Sequence, residues 1–136
     1  MIAEIRYALE SRLKTWADAQ SPAIPVAWQN VPFTPPVTRY LRAFLLPAET
    51  VTQTLDGDHR RYTGVFQVSI LVPVGNGPGA GETIAEAIEA LYPADLVLGD
   101  TSFDLYIVSP MSVYPSLQDS DWYTIPVSCQ YRVDTV

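Results

Sequence analysis

A chain of 136 residues, 48% of them apolar, can bury a core as one compact domain, residues 1–136, and is too apolar for a disordered tail. Its formal charge is −7 and Lys14 is the single lysine, so it lacks the clustered cations that grip nucleic-acid phosphates or anionic membranes. No apolar run approaches the roughly 20 residues of a membrane helix. The opening MIAEIRYALE is not a secretory signal, and one cysteine, Cys129, permits no internal disulfide.

In chain order, Ile2, Ile5, Leu9, Leu13 and Trp16 recur at spacings of three and four, which predicts an amphipathic helix. Pro22 and Pro25 stop it by about residue 20. Residues 26–30, VAWQN, read as a short strand. VPFTPP, residues 31–36, carries three prolines in six positions and reads as a stiff extended arm rather than a central strand. Residues 39–46 form a second strand with apolar groups on both faces, and 47–59 form a long hairpin loop with Asp56-Gly57 as its turn signal. Arg60-Arg61 reads as part of this solvated turn.

Residues 60–72 are the longest strand candidate, pairing antiparallel with 39–46. Tyr62, Phe66, Val68, Ile70 and Val72 make its core face, and Gly64 marks a bulge or a close backbone approach. The glycine-rich run 73–83, PVGNGPGAGET, then leads into a helix from about Glu82 to Tyr92. Ile84, Ile88 and Leu91 form the buried stripe of that helix, and Glu82, Glu86 and Glu89 its wet face. Residues 94–100 read as a link with Gly99-Asp100 as a turn, 102–108 as a strand, and 110–121 as a loop. The last strand is 122–133, with Tyr123, Ile125, Val127, Cys129, Tyr131 and Val133 in strict alternation. Pro126 on its other face points to an edge or a bulge. The class is α+β: a mostly antiparallel β-sheet packed by two α-helices, in the order α-β-β-β-α-β-β.

Strand, glycine loop and helix in succession raise the question of a phosphate cradle. A P-loop fails at its lysine, because alignment on Thr83 places Glu82 there, where a carboxylate repels phosphate. Gly75-Asn76-Gly77-Pro78-Gly79-Ala80 fits G-x-G-x-x-A on paper. The chain is too short for a dinucleotide domain plus a substrate domain, and Pro78 removes an N–H the loop would offer. The plain alternative is a mobile linker. His59 and Cys129 are the only histidine and cysteine, too few for most zinc sites, and G-x-S-x-G is absent. Cys129 reads as a small buried hydrophobe. No catalytic, metal or cofactor residue is expected from composition and spacing.

The ordered set of segments carries more information than any one motif. Trp28-Gln29-Asn30-Val31-Pro32-Phe33-Thr34-Pro35-Pro36 follows the first helix, then Tyr40-Leu41-Arg42, Leu45-Leu46-Pro47, Tyr62-Thr63-Gly64-Val65-Phe66-Gln67-Val68, Pro73 to Gly79, and the helix Ile84 to Tyr92. Across nearly the whole chain this resembles the small phage tail terminator family of long-tailed phages and prophages. The resemblance implies an α+β structural protein without catalytic residues. It implies a ring, usually a hexamer, that caps the head-proximal end of the tail tube, stops its growth and presents a surface for head joining. The implied partners are further copies of the chain, the tail tube protein and the head–tail connector protein. DNA passes through such a ring without specific binding, and no membrane is involved. The implied location is the virion tail, reached from the host cytoplasm during assembly. The residues this reading places at an oligomer or partner interface are Trp28, Asn30, Phe33, Thr34, Pro35, Gly75, Gly77 and Gly79. A head–tail connector or tail-completion protein is the neighbouring alternative. A small ligand- or nucleotide-binding module using the 73–83 loop is the alternative from a different class.

Overall fold

The structure, a computed structural model, describes residues 1–135; Val136, the last residue of the expected domain, lies outside the described residues. Its elements are α1 (Ile2–Asp18), β1 (Val26–Ala27), β2 (Tyr40–Pro47), β3 (Val51–Thr52), β4 (Arg60–Pro73), α2 (Gly79–Leu91), β5 (Val97–Asp100), β6 (Phe103–Ile107), β7 (Ser112–Val113), β8 (Leu117–Gln118) and β9 (Trp122–Thr135). They build one sheet in the order β1-β2-β4-β9-β6-β5, with β3 beside β4 and with β7 and β8 beside β9. β1 runs parallel to β2, and the other ladders are antiparallel. The α+β class and the seven expected elements are present as α1, β1, β2, β4, α2, β6 and β9, with four short strands added.

The long β4–β9 ladder, from Arg60↔Thr135 to Pro73↔Trp122, is the spine of the sheet. At about 3.3 Å per residue each of its strands spans about 45 Å. Alternation divides the sheet into two faces. Leu41, Ala43, Leu45, Phe66, Val68, Ile70, Ile125, Val127, Cys129, Tyr131 and Val133 line the face under the helices, and all are buried. From α1 come Ile5, Leu9, Leu13 and Ala17, and from α2 come Gly81, Ile84, Ala85 and Ile88. Trp16 packs only at the margin of this core and Ile2 is exposed, so the first turn of the expected stripe lies outside it.

Two side-chain bonds tie the helices together. The Tyr92 hydroxyl donates to the Leu9 carbonyl at 2.6 Å, and Arg12 Nε donates to the Leu91 carbonyl at 2.6 Å. The second places a cation at the C-terminus of α2, where unpaired carbonyls and the helix dipole favour it.

Several boundaries differ from the sequence reading. α2 begins at Gly79, three residues before Glu82, so the loop after β4 is only residues 74–78. Gly81 is a buried helical residue, and an added Cβ there would lie 2.6 Å from Ile125 Cδ1. The glycine allows α2 to start close against β9. Residues 97–100 are strand rather than link, and the turn falls at Thr101-Ser102. Asp100 Oδ1 accepts from the Ser102 hydroxyl and N–H, which stabilises the carboxylate and lowers its pKa. β4 opens at Arg60 as the expected strand 60–72 does, so of the two readings of Arg60-Arg61 the strand holds and the turn does not, and Arg61 meets Asp134 at 2.8 Å. β1 spans only Val26–Ala27.

Pro126 sits in a central strand rather than at an edge. The Tyr114 N–H donates to the Pro126 carbonyl at 2.9 Å, so the side of β9 that the proline nitrogen faces is the one where β7 gives way to β8. No ladder hydrogen bond is demanded there, which is the condition under which a strand accepts proline.

Candidate assembly surface

The sheet face away from the helices carries Arg42, Phe44, Leu46, Val65, Gln67, Ser128, Gln130 and Arg132, half-buried or exposed. One end of this face is covered by the proline arm. Phe33 lies 5.2 Å from Tyr40, and Tyr40 meets Trp122 edge-on at 4.9 Å, between ring centroids. Tyr40 is thereby buried. The arm starts in a tight turn: the Val31 N–H donates to the Trp28 carbonyl at 3.3 Å, and Asn30 takes φ 58°, a left-handed conformation that asparagine tolerates. Gln29 anchors it, with Oε1 accepting from the Leu45 N–H at 2.9 Å and from Arg6 Nη1 at 2.8 Å. That contact satisfies a backbone donor on the edge of β2 beyond the end of β1.

Between the arm and β2 lies a groove of about 620 Å³, lined by Trp28, Asn30, Phe33, Pro35, Arg42 and Phe44 among others. None of its lining residues is acidic. The Arg42 guanidinium lies 5.8 Å above the Phe44 ring and forms no salt bridge among the described residues.

The glycine loop joins β4 to α2 at the same end of the sheet. Its Val74 N–H donates to the Asp121 carbonyl at 3.3 Å, and Pro73 is the register partner of Trp122. Gly75 and Gly77 have φ 97° and 75°, where a side chain would be strained, so these two glycines are required by the turn. Gly79, expected in the loop, is the first residue of α2.

The structure brings Phe33, through Tyr40, toward the sheet end where Gly75, Gly77 and Gly79 lie, whereas Trp28 and Asn30 run on beside residues 43–45 of β2, farther along the sheet. Phe33, Tyr40, Trp122 and Pro73 form the line toward those glycines. Thr34, Pro35 and the three glycines are exposed, while Trp28 and Phe33 are half-buried. Val37 stands almost fully in water and Leu117 is 66% exposed.

Thr83, the residue a P-loop would aim at a metal, spends its hydroxyl on the Gly79 carbonyl at 2.9 Å. Pro78, at the N-cap, has no N–H to offer. The loop therefore has the chemistry of a turn.

Two features escaped the sequence reading. A second groove of about 790 Å³ runs beside α1, lined by Tyr7, Trp16, Leu98 and Phe103 with Arg12 among them. It depends on β5, whose four residues show no alternation that would mark a strand. The β2–β4 hairpin, extended by β3, ends in Leu55, fully exposed. Asp56 there accepts from the Thr54 hydroxyl and from the Asp58 N–H, which lowers its pKa. Among the described residues no group of three or more His, Cys, Asp or Glu side chains is placed to hold a metal ion, and no helix is long and apolar enough to cross a membrane. Cys129 is buried, and desolvation pushes its thiol up to about 12.

Comparison with curated proteins gives no match. One solved protein structure is 41% identical, superposes with a TM-score of 0.85, and the alignment covers 98% of this chain and 95% of that one. The model of the phage tail terminator protein family matches residues 4–131, nearly the whole chain. The chain belongs to the phage tail terminator family, a structural component of the phage tail.

Proposed function

We propose that residues 1–136 form one tail-terminator domain that caps the head-proximal end of the tail tube as a ring, hexameric in its working form. The ring ends tube polymerisation and offers its other rim to the head–tail connector protein. The family match over residues 4–131 carries this reading. The chemistry is consistent with it: the chain's charge of −7 suits a ring through which DNA passes without sticking. In this reading the arm (Trp28, Asn30, Phe33, Thr34, Pro35) and the glycine turn (Gly75, Gly77, with Gly79 at the head of α2) lie on surfaces that meet neighbours. The protein assembles in the host cytoplasm and ends in the virion tail, and it has no catalytic role.

The test is mass by light scattering over a wide concentration range, with and without tail tube protein, alongside tube lengths by electron microscopy. A species of six times the 15.0 kDa chain mass, or tubes that stop growing when the protein is added, is the expected result. A strict monomer that leaves tube growth unchanged overturns it. Binding to the connector protein without any effect on tubes would assign the chain to head–tail joining instead.

A further inference from the structure

We infer that the groove between the proline arm and β2 receives the glutamate-bearing face of α2 from a second copy of the chain. The inference rests on the ring reading above and names the contact that would build the ring.

The first observation is charge. In a chain of net charge −7, the groove is lined by no carboxylate and contains Arg42, whose guanidinium has no acidic partner within 4.0 Å among the described residues. Trp28, Asn30 and Arg42, side chains that carry N–H donors, line it together with the apolar Phe33, Pro35 and Phe44. A surface of this kind recognises an acidic, otherwise small-featured partner.

The second observation is that the chain itself carries such a partner. Glu82, Glu86 and Glu89 are exposed on α2, and none meets a cation within 4.0 Å among the described residues. Spacings of four and three put them on one side of the helix, along about 10 Å of its axis. Thr83, Ala87 and Ala90 lie beside them, small enough to let a neighbouring surface approach closely. Like-charged carboxylates on one helix face repel one another, and a cation placed among them relieves that repulsion.

The third observation is geometry. α2 packs on one face of the sheet and the groove opens on the other, so no chain can fill its own groove with its own α2. The contact joins two different surfaces and is head-to-tail. Such contacts propagate from copy to copy and make a ring where the rotation between copies closes, whereas a two-fold dimer would use one surface twice. The sheet edges are poorly suited to the same task. The β1–β2 edge is capped by Gln29 and followed by the proline arm, and β5 is four residues long with Gly99 at φ 117°.

The test uses the full chain. Arg42→Glu and Glu86→Arg, made singly, are expected to weaken assembly at least tenfold by light scattering or native mass spectrometry. The double variant Arg42→Glu/Glu86→Arg is expected to recover to within about threefold of the unmodified chain, because the pair is restored with its signs exchanged. Urea midpoints for each variant check that the monomer is intact. In a separate chain, Asn30→Cys/Glu86→Cys is expected to give a ladder of covalent oligomers on mild oxidation, against dimers at most from either single cysteine variant. Single charge variants that assemble like the unmodified chain, a folded double variant that fails to recover, or an absent ladder from an assembled sample each overturn the contact while leaving the ring reading standing. An unmodified chain that neither oligomerises nor affects tube growth overturns both.

Discussion

At Gly64 an added Cβ would lie 2.6 Å from the Leu46 carbonyl oxygen and 2.7 Å from the ring carbon bearing the Tyr131 hydroxyl. Tyr131 is Gly64's register partner on β9 and is itself buried, so neither neighbour has room to give way. Gly64→Ala should cost about 3 kcal/mol in urea unfolding. Gly79 is the control: nothing lies within 4 Å of its added Cβ, and it sits in the first turn of α2. Gly79→Ala should be neutral or stabilise by about 0.5 kcal/mol, since alanine restricts the unfolded chain and favours the helix. Equal losses at the two sites would mean that the β4–β9 packing around Tyr131 is looser than described. The close approach at Gly64 was legible as an interruption of an apolar strand, but its cause was not, because Tyr131 comes from the far end of the chain.

Among the elements, those with a buried face were readable and those without one were not. β9 buries alternate residues over Ile125–Val133, β4 does so from Gly64 to Val68 before becoming buried on both faces over residues 68–72, and α1 and α2 bury residues at helical spacing, so pattern and structure agree over these stretches. β3, β7 and β8 have two residues each, all exposed, and are held only by pairing to long neighbours, which no local pattern announces. Glycine is a poor helix former, so the sequence pattern puts the start of α2 three residues late. Here a tertiary demand, room for Ile125 against Gly81, overrides the propensity. Three prolines in six residues keep the arm out of the sheet, as its sequence demands, yet its docking on Tyr40 joins residues that no spacing connects. Phe33 is only half-buried in that docking. Phe33→Ser/Pro35→Ser should therefore leave a folded monomer, about 1–2 kcal/mol less stable by urea titration. Assembly or tube capping should suffer far more, and normal capping by this variant would remove the arm from the interface. The α2 carboxylates allow the same separation. Glu82→Gln, Glu86→Gln and Glu89→Gln should each change monomer stability by less than about 0.5 kcal/mol. A large loss of folding would reveal partners for them within the chain.

Over the whole molecule, the core holds three weak acids on its shared interior: Cys129, Tyr131 and Tyr92. Desolvation raises all three pKa values, with the Cys129 thiol pushed up to about 12. In the unfolded chain the thiol titrates near about 8.5 and the phenols near about 10. Raised folded-state values give stability that is fully present below the unfolded pKa and lost as pH rises toward the folded one. Between the two, the unfolded chain has released protons that the folded chain retains, so each step in pH favours unfolding. Stability should therefore be level from pH 7 to about 8, begin to fall near about 9 as the thiol step opens, and fall more steeply above about 10 when the phenols join. Each group contributes at most about 1.4 kcal/mol per pH unit. General repulsion in an acidic chain would also erode stability at high pH, so the comparison that decides is with Cys129→Ala. That variant should start lower, because it leaves a gap in the core, and should lack the first part of the decline. Urea midpoints across pH 7 to 11 for both proteins make the measurement. Parallel curves would mean that water reaches Cys129 in the native state, and a thiol-modifying reagent would then label the folded protein, which a buried and protonated Cys129 should resist until the chain unfolds.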